Sequence, residues 1–81
     1  MQRNECKKFV LSAIEDLREP VEAGLVQVWL STSYNVELSD KATSMECLRL
    51  MRQGLLRRKA GKYSLSEKGS SRLQWLRSTI Q

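Results

Sequence analysis

The stretch from Leu38 to Gly69 constrains this chain more than any other part of it. Ser39 is a natural helix N-cap, and Asp40 suits the positive end of the helix dipole. Thr43-x-x-Glu46 offers a rival capping box. The Ser39 start is preferred because Ala42 and Thr43 then continue an inner face with Cys47 and Leu50. This predicts a helix from Ser39 to Gln53, with Gly54 as the residue that turns left-handed out of it. Two short strands should follow, Leu55 to Lys59 and Lys62 to Leu65. Ala60-Gly61 forms the tight turn between them, and Gly61 supplies a positive φ. Ser66 then caps a last helix, with Glu67 in its first turn, that runs to about Thr79 and places Gly69, Leu73, Leu76 and Ile80 on one face.

The first half offers two helices. Helix one should span Asn4 to Arg18, with Asn4 as cap and Cys6, Val10, Ala13, Ile14 and Leu17 as one stripe. Leu11 falls about 120° off the centre of that stripe at 100° per residue. Pro20 ends simple continuation and suits the first turn of helix two. There Val21, Leu25, Val28, Trp29 and Thr32 share one face and Ala23, Val26 and Leu30 the other, a pattern expected of a helix sandwiched between neighbours. Val26 to Leu30 also reads as a strand. Ser31 to Glu37 reads as a connection, with Asn35 as its turn residue.

Length and charge narrow the field further. With 81 residues, one domain over 1–81 is the expected count. Residues 1–40 hold four basic against seven acidic side chains, a net −3; residues 41–81 hold ten against two, a net +8. A basic half beside an acidic one suggests a surface that attracts a polyanion. Composition alone does not separate DNA, RNA and an acidic protein. There is no histidine, no Gly-rich phosphate loop and no paired acids in a cleft, so an enzyme is not expected. No cofactor and no metal are expected either, since Cys6 and Cys47 lack companions for a four-ligand zinc site. Both cysteines are read as buried, reduced thiols; the competing reading of Cys47 as a redox sensor requires an exposed thiol of lowered pKa. No apolar run approaches the ~18 residues of a bilayer span. A soluble cytoplasmic protein with no membrane partner is therefore expected.

Taken together, Leu38-Ser39, Thr43, Cys47, Leu50, Gly54-Leu55-Leu56, the basic hairpin and Tyr63-Ser64-Leu65-Ser66-Glu67-Lys68-Gly69 resemble the second half of a winged-helix DNA-binding domain. The likeness covers about 32 residues and is similar in kind to small archaeal and bacterial regulators of the MarR or PadR type. One departure is the link from Leu30 to Leu38, which is longer than the usual tight turn and lacks its glycine. The resemblance implies an α+β fold, mostly helical: a winged helix-turn-helix with a three-helix core, a β-hairpin wing of two or three strands and a C-terminal helix. It also implies a transcriptional regulator that binds double-stranded DNA with the third helix in the major groove.

On that helix Lys41, Met45, Arg49 and Arg52 project away from the inner stripe, with Ser44 nearby and Ser39 at the start. Lys and Arg suit guanine edges or phosphates, Ser either, and Met45 a thymine methyl. Arg57, Arg58, Lys59 and Lys62 make a positive wing for the backbone. The plainer reading of the helix is a solvated basic face, and of the hairpin, charges that protect an exposed edge. Leu11 and Trp75 fit neither core stripe and are assigned to a homodimer contact; the alternative is a monomer with Trp75 folded over its own surface. The competing function is a winged-helix protein or RNA interaction module, with Met45, Leu48 and Trp75 as apolar anchors.

Overall fold

The computed structural model describes residues 3–79. Their order is α1 (Arg3–Leu17), α2 (Ala23–Ser33), α3 (Asp40–Arg52), β1 (Leu56–Lys59), β2 (Lys62–Leu65) and α4 (Glu67–Thr79). This is the expected α+β architecture, three helices followed by a hairpin and a C-terminal helix. Ile80, placed by its spacing on the inner face of the last helix, lies outside the described residues.

α1 is the centre of the molecule. It touches α2, α3, α4 and β2, so more than one stripe of it is covered. Val10, Leu11, Ala13 and Ile14 are all buried. Leu11 is 0% exposed, which overturns its assignment to a contact between copies. The off-stripe angle was real, but a helix packed on several sides has no single inner face. Among the described residues the core is one cluster, in which α1 meets Val26 and Leu30 of α2, Cys47 and Leu50 of α3, Leu55 and Leu56 at the hairpin base, and Leu73 and Leu76 of α4.

Pro20 does not begin α2. It directs the chain into Val21, whose backbone exchanges both hydrogen bonds with Tyr63, N–H to oxygen at 2.9 Å and 2.7 Å. Val21 thus joins the two-stranded hairpin through an isolated antiparallel bridge. α2 starts afterwards, behind Glu22, which makes no side-chain cap. It buries only the Val26 and Leu30 side, with Ala23 and Trp29 partly covered. Leu25 and Val28 are 46% and 54% exposed, so the expected sandwich is one-sided. Val26 to Leu30 are helical, not a strand. The link that follows turns at Asn35, in the left-handed region with φ 56°, and the Val36 N–H returns to the Leu30 carbonyl at 2.9 Å. Asn tolerates that conformation where a glycine is missing.

α3 begins and ends on the expected residues. The Ser39 hydroxyl accepts from the Ala42 N–H at 3.0 Å. Thr43 is buried, and its own hydroxyl donates to the Ser39 carbonyl at 2.9 Å, so it is a core residue and not a rival cap. Gly54 has φ 79°. Its N–H reaches the Met51 carbonyl at 3.0 Å and the Leu55 N–H the Leu50 carbonyl at 2.9 Å, the paired bonds of a Schellman stop.

The hairpin turn takes positive φ at both central residues, Ala60 at 53° and Gly61 at 77°. That geometry matches the twist of the flanking strands. At the far end Ser66 joins three elements. Its hydroxyl donates to the Gly54 carbonyl at 2.6 Å and accepts from the Gly69 N–H at 2.9 Å. One side chain therefore caps α4 and holds it to the end of α3.

Candidate nucleic-acid interface

α3 presents a basic stripe because its apolar positions are consumed by the core. Thr43, Cys47 and Leu50 are fully buried and Glu46 nearly so. Lys41, Met45 and Arg52 are exposed, while Ser44, Leu48 and Arg49 are half-buried. Met45 is 52% exposed, an apolar side chain left in solvent at the middle of a charged stripe. Ser39 is exposed, but its hydroxyl is already engaged as the cap.

Arg49 differs from its neighbours. Its guanidinium pairs with the Glu46 carboxylate at 3.1 Å, one turn away. Glu46 is buried, and its other oxygen, Oε1, has no hydrogen-bond partner among the described residues. A buried carboxylate of this kind needs a nearby positive charge. Arg49 is thus turned toward the α1 side of the stripe and shares its charge with the interior. In the sequence Glu46 offers itself only as the end of a capping box, and its burial is not visible there. No periodicity marks one buried Glu among exposed ones.

The wing sorts its four cations by face. The register pairs Leu56 with Leu65, Arg57 with Ser64, Arg58 with Tyr63 and Lys59 with Lys62. Directly paired residues lie on the same side of a hairpin. Arg58 therefore shares the inner side with buried Tyr63, and its guanidinium lies 5.7 Å from the centre of that ring. Arg57, Lys59 and Lys62 project from the outer side. Lys59 and Lys62 face each other across the turn, an arrangement of like charges that costs stability unless an anion neutralises it. All four are exposed. Only Gln53, Gly54 and Leu55 separate α3 from β1, so stripe and wing are held at a fixed joint.

Cys47 is fully buried and Cys6 half-buried, and neither has the lowered pKa that a redox sensor requires. Burial, and then the Glu46 charge, push Cys47 up to about 12, and burial raises Cys6 as well. A thiol of raised pKa is protonated and inert at neutral pH. Among the described residues no three His, Cys, Asp or Glu side chains gather as a metal site would need. No helix among them is long and apolar enough to cross a membrane.

Trp75, on α4, is 53% exposed, with the Arg72 guanidinium 5.8 Å from its ring. Of the two residues assigned to a dimer contact, it alone is at the surface. Lys68 also escaped the sequence reading. It donates to the Gln53 carbonyl at 2.8 Å and so brings a cation from α4 to the end of α3. The i, i+4 spacing of Lys68 and Arg72 was the available signal.

No protein-family model and no curated protein matches the chain. Among solved structures, a winged-helix DNA-binding protein from STIV aligns with 99% of this chain and 91% of its own, with a TM-score of 0.83 and 17% sequence identity. The chain has the winged-helix fold.

Proposed function

We propose that this protein binds double-stranded DNA as a small sequence-specific transcriptional regulator in the cytoplasm. α3 enters the major groove, with Lys41, Ser44 and Met45 nearest the bases and Arg49 beside them. Arg52 and the wing residues Arg57, Lys59 and Lys62 hold the backbone, and Arg58 flanks them from the inner side. The observation that carries this reading is the wing register. Two lysines set opposite each other at the tip repel in isolation and are relieved by a phosphate. Edge protection alone does not require that pairing. The DNA-binding description of the STIV protein supports the same reading.

The working unit is read as a homodimer joined through Trp75 and its neighbours on α4, since a half-exposed indole is an effective anchor for a second copy.

Salt titration of binding to a random duplex tests the proposal. Affinity should fall steeply with salt, and Lys59→Ala or Lys62→Ala should each reduce the log–log slope by about one. Selection of bound sequences from a random pool then tests base reading. Undiminished affinity in an Arg58/Lys59/Lys62 triple-alanine protein rules out the wing contact. Absence of duplex binding at low salt leaves the interaction-module reading in its place.

A further inference from the structure

A shallow notch lies where α3 ends and α4 begins. Arg52, Gln53, Leu55, Lys68 and Arg72 line it. Three of these five are cations, and none is an acid. We propose that Arg52, Lys68 and Arg72 form a second phosphate site, which takes a backbone phosphate of the same duplex that α3 reads. The inference rests on the duplex-binding reading above and extends it to a third element, α4.

Position supports it first. At 100° per residue Lys41, Met45 and Arg52 fall within about 40° of one another on α3. Arg52 therefore belongs both to the outward stripe and to the notch. A duplex seated on the stripe has its backbone at the notch, at the base of the wing and away from the wing tip.

The cations are also held in place. The Lys68 ammonium is tethered to the Gln53 carbonyl at 2.8 Å, and the Arg72 guanidinium lies over the Trp75 ring. Free lysine and arginine side chains lose substantial rotamer entropy on binding. Here part of that ordering has been done before a ligand arrives. Lys68 keeps two further ammonium protons, and Arg72 keeps its donor fork, which matches phosphate oxygens.

Their crowding is the third observation. Lys7 of α1 is buried on this side of the molecule, and burial, then the charge of Arg72, hold its pKa below the ordinary lysine range. Glu46 opposes that shift, but its carboxylate already pairs with Arg49. Positive charge is thus concentrated beyond what the local acid neutralises. A phosphate in the notch relieves that repulsion, whereas a neutral partner leaves it in place.

The test compares wild type with Lys68→Gln, Lys68→Arg, Arg72→Gln, the Lys68→Gln/Arg72→Gln double variant, and Lys59→Gln as a wing control. Binding is measured by salt titration on a random duplex of three turns, roughly 30 base pairs. The expected result is a slope lowered by about one for Arg72→Gln and about two for the double variant. Lys68→Arg should keep the wild-type slope, because it keeps the charge; a purely structural role for Lys68 would instead leave the slope unmoved in Lys68→Gln. Circular dichroism checks folding, and Arg72→Gln removes no hydrogen bond within the described residues. A wild-type slope in the folded double variant, with the slope of Lys59→Gln reduced, overturns the notch and leaves duplex binding intact. A wild type that binds no duplex at low salt overturns both.

Discussion

Gly69 lies against the backbone of Leu55 so closely that a β-carbon at Gly69 would stand 1.9 Å from the Leu55 carbonyl oxygen. This contact sets how α4 leaves the wing. The same carbonyl accepts the Ser66 N–H at 3.2 Å, so it cannot swing aside without loss of a hydrogen bond.

Gly69→Ala should therefore destabilise the protein strongly. In an ordinary helix interior this change stabilises by about 1 kcal/mol. Here the added carbon meets fixed backbone, and overpacking of that kind costs typically ~1–3 kcal/mol or more. Urea denaturation of the two proteins measures it. An unchanged or raised midpoint would show that α4 is free to shift.

Ala60 is strained in the opposite sense. It holds φ 53° at the first central position of the wing turn, a region that L-residues with a β-carbon enter at a cost of about 1 kcal/mol. Ala60→Asn should raise stability by roughly 0.5–1 kcal/mol, since Asn-Gly suits this turn. For a chain of this size, a change of about 1 kcal/mol corresponds to a rise of about 4–8 °C in melting temperature. A fall in Tm would mean that the turn adopts another form.

Leu11 and Trp75 should separate under alanine substitution. Leu11→Ala opens a cavity in the core and should cost ~2–5 kcal/mol of stability. Trp75→Ala should change stability by no more than about 0.5 kcal/mol in the monomer, as a surface substitution does. It should weaken self-association instead. Sedimentation at tens of micromolar reads the second effect, and a monomeric wild type disproves the dimer.

Stability should decline in alkali. Burial, and then a hydrogen bond donated to the Asp16 carboxylate, push the Tyr34 phenol from 10.0 up to about 12. Above pH 10 the unfolded chain releases this proton while the folded chain keeps it. The contribution is whole below pH 10 and lost as pH rises toward 12. Cys47, raised from 9.0 to about 12, acts with the same sign. Lys7 acts with the opposite sign, because its pKa is lowered from 10.5. Tyr34→Phe should therefore flatten the fall between pH 10 and 12 without removing it. An identical pH profile for the two proteins would exclude Tyr34 as a source.

What could be read from the chain were features decided within a few residues. Ser39 finds its partner at Ala42, Gly54 closes the helix above it, Gly61 turns the hairpin and Ser66 caps α4. Each acts over one turn, so spacing suffices to identify it. The exposed cations of the wing were legible for the same reason, since nothing apolar at those positions asks to be buried. Other features depended on partners far along the chain. Leu11 is in the core because four other elements surround α1. Val21 bridges to the hairpin because Tyr63, 42 residues later, supplies its hydrogen bonds. Glu46 is buried beside Arg49 on the side of α3 near Cys6 and Lys7 of α1, and Lys68 and Arg72 line one notch with Arg52 because α4 returns to the end of α3 at Gln53. The sequence by itself determined where α3, the hairpin and α4 start and stop and where they carry their charge. Only the tertiary structure decided which faces are hidden and which cations share a surface, because burial and charge proximity are set by long-range packing that no local spacing encodes.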